Sequence, residues 1–207
     1  CAIAGATVLA EGHEKIAPEG RYLFLANHLS HMDVPVILGH VSAPFRFLAN
    51  WYLFKIPFLG HHLKRAGHLP VNNSNPRESL KMMSAAARTI REREVSILVF
   101  PEGERTYKGL GEFKDGAAFI AVKAGVPVVP IALEGLREIL PRGGMFMRGG
   151  VATIRIGDPI ETVSLTVQDR QRLTGQMRES VKRMIGHIDE PAEKEVAAGH
   201  PVSVGAN

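Results

Sequence analysis

The sequence predicts a layered α/β domain whose mixed, largely parallel sheet is flanked by helices. Three observations carry that prediction. Short, unbroken apolar runs such as 21–27, 95–100 and 128–133 read as strands buried on both faces. Between them lie segments with helical spacing and helix-start signals. At 207 residues, 45% hydrophobic and 22% charged, one domain can bury a substantial core.

In chain order, 21–27 reads as a buried strand and 33–40 as a short helix. A further strand is expected over 45–49. Residues 51–59 (Trp-Tyr-Leu-Phe-Lys-Ile-Pro-Phe-Leu) are dense in aromatics and end in turn residues. They read either as core packing or as an interfacial surface, with Trp51, Phe54 and Phe58 at a headgroup region and Lys55 snorkelling. Asn75-Pro76-Arg77-Glu78 starts a helix, with Asn as cap and Pro at the first position. Leu80, Met83, Ala87 and Ile90 then share one face. A strand over 95–100, a helix over 114–124 and strands over 128–133 and 151–156 follow. Leu173, Met177, Val181, Met184 and Ile185 mark a last amphipathic helix. The expected domain spans 1–189, and 190–207, rich in Pro, Ala, Gly and charge, reads as a flexible tail.

One cysteine, Cys1, excludes an internal disulfide framework and suits a reducing compartment. A net charge of +4 makes the surface mildly basic, compatible with an anionic partner and equally with an ordinary solvated surface. Basic residues are dispersed and aromatics few, so no nucleic-acid partner is expected. No run approaches the ~18 apolar residues of a spanning helix, and the apolar run 1–10 lacks the basic start of a leader.

The chemistry-bearing segments each follow a strand. Asn27-His28-Leu29-Ser30-His31-Met32-Asp33 places an imidazole and a carboxylate five positions apart. On a straight helix they diverge by roughly 140°. A strand turning into a helix between them brings them together, and the carboxylate then fixes the tautomer and leaves the other ring nitrogen free to accept a proton. Read alone, the pair is more readily a buried histidine satisfied by a neighbour. The second segment is Phe100-Pro101-Glu102-Gly103-Glu104-Arg105. Gly103 allows close backbone approach, and Arg105 suits two-pronged contact with a phosphate. Glu102 cannot bind an anion, so it is expected to position Arg105 or an acceptor hydroxyl. Lys114, in Phe113-Lys114-Asp115-Gly116, reads either as an added site charge or as a solvent-facing helix-start lysine.

These segments, with Val126-Pro127-Val128-Val129-Pro130-Ile131 after them, stand in the order of the glycerolipid acyltransferase family. The chain resembles that family from about residue 11 to residue 160, and four ordered blocks are far more specific than one. The resemblance implies a glycerol-3-phosphate acyltransferase-like fold and transfer of a fatty acyl group from acyl-CoA or acyl carrier protein to a lysophospholipid hydroxyl. The acceptor so implied is 1-acylglycerol-3-phosphate, giving phosphatidate. It implies His28 and Asp33 as the catalytic pair, with Glu102, Gly103, Arg105 and Lys114 at the substrate. It further implies direct attack without an acyl-enzyme, and no Gly-x-Ser-x-Gly elbow is present. Asn27 or nearby backbone amides are candidate oxyanion donors. No cofactor or metal is called for. The expected location is the cytoplasmic face of a membrane, and members often carry an apolar anchor upstream.

Departures from the family pattern bear on the acceptor. Glu104 stands where Thr or Ser is usual, Asn50 where Lys is frequent, and Asn72-Asn73 where Asp-Arg is frequent. Loss of these basic groups opens another lysolipid, such as lyso-ornithine lipid, as an acceptor. A rival of a different class is a metal-dependent hydrolase built on His28, His31 and Asp33, although no His-Glu-x-x-His or Cys-x-x-Cys pattern supports it.

Overall fold

The computed structural model describes residues 2–3, 5–72, 75–106, 109–141, 144 and 146–186. Eight strands form one sheet in the order β1-β2-β8-β7-β3-β6-β4-β5. They are β1 (Ala2–Ile3), β2 (Ala6–Glu11), β3 (Leu23–Ala26), β4 (Phe45–Asn50), β5 (Leu69–Val71), β6 (Ser96–Val99), β7 (Val128–Glu134) and β8 (Gly150–Ile156). The helices are α1 (Asp33–His40), α2 (Leu59–Arg65), α3 (Pro76–Arg93), α4 (Gly116–Ala124), α5 (Leu136–Ile139) and α6 (Arg170–Gly186).

Strand β3 lies at the centre, parallel to β6 on one side and β7 on the other. Its four residues are all buried, which is why Leu-Phe-Leu-Ala runs without polar alternation. Strand β4 adds parallel to β6, and β5 adds parallel to β4. Among the described strands, β8 against β7 and β1 against β2 pair antiparallel. The sheet is therefore mixed and largely parallel, as the alternating runs predict.

Alternation along β3 divides the core into two layers. Phe24 and Ala26 face Val36 and Ile37 of α1 and Leu136 and Ile139 of α5. Leu23 and Leu25 face Ala86 and Ile90 of α3, Ala118 and Ala121 of α4, and Leu173 and Met177 of α6. Helix α3 starts as its sequence dictates, with Asn75 Oδ1 accepting from the Arg77 and Glu78 amides at 3.1 and 3.3 Å.

Several elements differ from expectation. On α3, Ala87 and Ile90 are buried and Met83 packs against the core as expected, but Leu80, in the first turns of the helix, is 52% exposed. Helix α4 begins at Gly116 rather than Lys114, whose amide donates to the Pro101 carbonyl at 3.0 Å. The apolar run at the start holds strands β1 and β2, and β5 contains Pro70, which an edge strand tolerates. The core reading of residues 51–59 does not hold. Trp51–Lys55 form a 3-10 turn, and Trp51, Tyr52, Ile56, Phe58 and Leu59 are all exposed. The tail expected over 190–207 lies outside the described residues.

The connections from β3 and β6 leave the sheet in opposite senses. The chain goes from β3 through α1 to β4, skipping β6, whereas from β6 it passes through α4 to β7, crossing β3. In open α/β sheets such a reversal leaves a crevice beyond the carboxyl ends of the two strands. Both chemistry-bearing segments begin there.

Candidate active site

The first segment turns from strand to helix around Asp33. Its carboxylate, completely buried, accepts from the Leu29 amide at 2.7 Å and from the Ser30 amide at 3.0 Å. The same Oδ2 lies 2.6 Å from His28 Nδ1. The turn thus places an i, i+5 pair side by side, as the strand-to-helix reading requires. With Nδ1–H donated to Asp33, Nε2 carries the lone pair, a tautomer assigned from the hydrogen-bond geometry. The imidazole stacks on Phe100 with centroids 4.1 Å apart and planes at 19°. Ser30 fixes the far side of the turn by donating its hydroxyl to the Leu140 carbonyl at 2.9 Å.

Asn27 is spent on structure. Its side chain donates to the Leu133 carbonyl at 2.9 Å and accepts from the Leu133 amide at 2.8 Å, extending the β3–β7 ladder past its last backbone pair. Buried, doubly paired with Leu133 and off the cavity lining, Asn27 is turned away from the site, which leaves nearby backbone amides as the candidate oxyanion donors.

The second segment is stitched to the first. Glu102 Oε1 accepts from the His28 amide at 2.8 Å, and Oε2 accepts from the Gly111 amide at 2.8 Å. The Thr106 amide donates to the His28 carbonyl at 3.1 Å. The backbone of His28 is therefore held at both its N–H and its C=O by residues from beyond β6. Glu102 is buried and lies off the cavity wall, so the geometry makes it a strut beneath His28 rather than a partner of Arg105. Gly103 adopts φ 79°, the left-handed region that a side chain resists, where the chain turns back into the cavity rim.

A cavity of about 410 Å³ opens where these segments meet. Its lining is mixed: His28, His31, Asn50, Glu104, Arg105 and Lys114 are polar or charged, and Phe47, Leu48, Leu53, Met83 and Ile120 are apolar. Of the six expected site residues, His28, Gly103, Arg105 and Lys114 line it, while Asp33 and Glu102 stand behind the wall. Sequence reasoning missed the apolar lining, which comes from strand β4, the Trp51–Lys55 turn and helices α3 and α4, with no motif to mark it. His31, read from the sequence only as part of the metal-site rival, instead pairs through Nε2 with an Arg105 guanidinium nitrogen.

That pairing bears on the metal-site rival. His28 is engaged by Asp33, and His31 meets a cation. Further off, His68 stacks on Phe47 with centroids 3.6 Å apart and accepts from the Phe47 amide at 3.2 Å. Burial, with Arg46 and His62 nearby, lowers the His68 pKa to about 4 and keeps it neutral. Among the described residues no group of three or more His, Cys, Asp or Glu converges to hold a metal ion.

The geometry can do one thing well: accept a proton at His28 Nε2 from a group bound in a half-polar, half-apolar cavity. Residues 7–134 match the model of the Acyltransferase family. A chloroplastic 1-acyl-sn-glycerol-3-phosphate acyltransferase of Brassica napus is 34% identical over 135 residues, covering 64% of this chain and 39% of that protein. A 1-acyl-sn-glycerol-3-phosphate acyltransferase of Borreliella burgdorferi is 27% identical over 187 residues, covering 90% of this chain and 74% of that protein. Among solved structures, the 1-acyl-sn-glycerophosphate acyltransferase PlsC of Thermotoga maritima matches with a TM-score of 0.78 at 29% identity, over 92% of this chain and 76% of that one. The chain spans about two fifths of the length of the plant and algal relatives it matches. With the matched region covering more than half its length and the dyad in place at the end of β3, the chain belongs to the Acyltransferase family.

Proposed function

We propose that this protein moves a fatty acyl group from the thioester of coenzyme A or acyl carrier protein to the free hydroxyl of 1-acylglycerol-3-phosphate, giving phosphatidate. The observation that carries the reading is the His28–Asp33 pair beside a cavity whose lining is part polar and part apolar. A lysolipid has that same division, a polar head with its hydroxyl and an acyl chain.

The steps follow from the geometry. The acceptor hydroxyl lies against His28 Nε2 and loses its proton to it as its oxygen attacks the thioester carbon. The imidazolium that forms keeps its Nδ1–H on Asp33, whose buried charge stabilises it. Collapse of the tetrahedral adduct breaks the carbon–sulfur bond, and the departing thiolate takes the proton back from Nε2. No cofactor or metal enters these steps. Arg105 and Lys114, both on the cavity lining, are the basic side chains that would meet the acceptor's phosphate. The reaction belongs at the cytoplasmic face of a membrane, where the lipid acceptor resides and both thioester carriers are found. Among the described residues no helix is long and apolar enough to cross a membrane.

A second acceptor has specific support. Asn50 and Glu104 line the cavity, one neutral and one acidic, so its wall is less cationic than a dianionic phosphate favours. A lysolipid with a less anionic head, such as lyso-ornithine lipid, answers that wall better. The test is thiol release from palmitoyl-coenzyme A with lysophosphatidate or lyso-ornithine lipid, using wild type and His28→Ala. Release that requires lysophosphatidate and His28 supports the first reading, and release only with the other lipid supports the second. His28-dependent release without any acceptor points to thioester hydrolysis and overturns both.

A further inference from the structure

Residues 34–77 contain five Lys or Arg and no Asp or Glu. The whole chain carries +4, so its net positive charge is confined to this one segment. The segment runs from α1 through β4, the Trp51–Lys55 turn, α2 and β5. Its turn also carries the densest exposed apolar surface of the described residues. Trp51 is 40% exposed, Tyr52 50%, Ile56 42%, Phe58 91% and Leu59 40%. An apolar side chain as open as Phe58 is ordinary when scattered singly; five within nine positions form a patch.

The patch is built rather than slack. Phe58 has φ 62° and ψ −56°, and the Leu59 amide donates to the Pro57 carbonyl at 2.7 Å. This is a γ-turn with positive φ at its centre, costly for a residue with a Cβ. Gly60 lets the chain fold back on itself, since a Cβ there would lie 2.2 Å from the Phe54 carbonyl oxygen. A strained turn that lifts a phenyl ring into the open stabilises nothing inside the protein. Lys55 Nζ stands 4.3 Å over the centroid of the Trp51 ring, an ammonium on an aromatic face. Lys64 and Arg65 close the last turn of α2.

Asn50, Tyr52 and Leu53 of the same segment line the cavity. One strip of chain therefore walls the cavity on its inner side and presents Trp51, Ile56 and Phe58 on its outer side. We infer that residues 51–59 are the membrane-docking lip of the acceptor cavity, inserting into the headgroup region of an anionic bilayer. Aromatic and aliphatic tips with lysines beside them and no carboxylate in the segment fit a negatively charged lipid surface. The inference deepens the proposed function by naming the surface through which a lipid acceptor enters, but docking itself does not depend on the chemistry.

Trp51 is the chain's one tryptophan, so its emission reports on the lip directly. The experiment titrates the protein with phosphatidylcholine vesicles, with and without phosphatidylglycerol, and follows emission wavelength and quenching by bromine-labelled acyl chains. The expected result is a blue shift and quenching on the phosphatidylglycerol vesicles, with His28→Ala behaving as wild type. Phe58→Gly removes the ring and relaxes the turn, so it folds, and it should bind about tenfold more weakly. Phe58→Gly should also keep turnover on acceptor presented in detergent while losing it on vesicles. Unchanged Trp51 emission on both vesicles, or equal binding by Phe58→Gly, overturns the inference. So does a shift that follows protein concentration without lipid, which would mark the lip as a contact between copies. If docking is seen and no acceptor supports thiol release, the proposed function fails while the lip stands.

Discussion

Asp33 and Glu102 do opposite jobs with the same functional group. Asp33 takes two backbone amides and one imidazole, so it both shapes the turn and orients the base. Asp33→Asn keeps the shape but puts an amide N–H where donors already point. It should lower turnover about 10²–10⁴-fold, the usual worth of a general base, and cost about 1–3 kcal/mol of stability. Denaturant titration beside steady-state kinetics reads both. Glu102 spends each oxygen on a backbone amide, from His28 and from Gly111. A glutamine satisfies only one of them, so Glu102→Gln should destabilise by about 1–3 kcal/mol. It should also lower kcat while leaving the acceptor KM near its original value, because His28 shifts and the cavity wall does not. A large rise in acceptor KM with kcat unchanged would return Glu102 to the substrate. The sequence showed His28 and Asp33 because their partner lies five residues away. It could not show Glu102's task or Asn27's, since their partners lie 74 and 106 positions off.

Elements with their signals inside them were legible, and elements defined by their neighbours were not. Helix α1 was predicted at its observed bounds, α3 at its cap, and β3, β6 and β7 from apolar runs that only a doubly covered strand needs. Strand β5 was hidden by Pro70 and by its length of three residues, and it exists because β4 offers an edge. Strand β2 is mostly exposed and exists through its parallel pairing with β8. The link between β4 and β5 is made partly by His68, stacked on Phe47 of the cavity wall. Its pKa is lowered to about 4, chiefly by burial, from an ordinary value near 6.5. A depressed pKa means the unfolded chain binds the proton first, so this contribution to stability is complete above about pH 6.5 and is lost as pH falls toward 4. His68→Phe keeps a ring on Phe47 without a titrating group. Between pH 7 and pH 4 it should lose less stability than wild type in urea titrations. Equal losses would show that His68 is protonated as easily in the folded chain as in the unfolded one.

At the scale of the whole molecule, the site depends on a sheet whose two halves meet antiparallel at β7 and β8. The parallel half carries the dyad and cavity. The other half, β8 with β2, is tied on through Arg155. Its guanidinium pairs with Glu134 at the end of β7, bonds Glu11 of β2 at 2.9 Å and donates to the Met184 carbonyl of α6 at 3.1 Å. Three strands and a helix thus converge on one side chain, which lies off the cavity wall. Burial raises the pKa of Glu134, while Arg155 pulls it down. Arg155→Ala should therefore cost about 3 kcal/mol at neutral pH, mostly from leaving a largely buried carboxylate unpaired. Removing the arginine lets the pKa of Glu134 climb further. A raised folded-state pKa gives stability at low pH that is lost as pH rises, so the deficit of the variant should shrink toward pH 4.5 and widen toward pH 8. Replacing both partners, Arg155→Leu with Glu134→Leu, should recover most of the loss, since an apolar pair leaves no charge to satisfy. Urea titrations across that pH range check all three. A deficit independent of pH, or no recovery in the double variant, would mean that Arg155 acts through its bonds to Glu11 and Met184 and that Glu134 is incidental. The catalytic constants should stay near wild type in every case where the protein remains folded, because Arg155 bonds Glu11, Glu134 and Met184 and lies off the cavity wall.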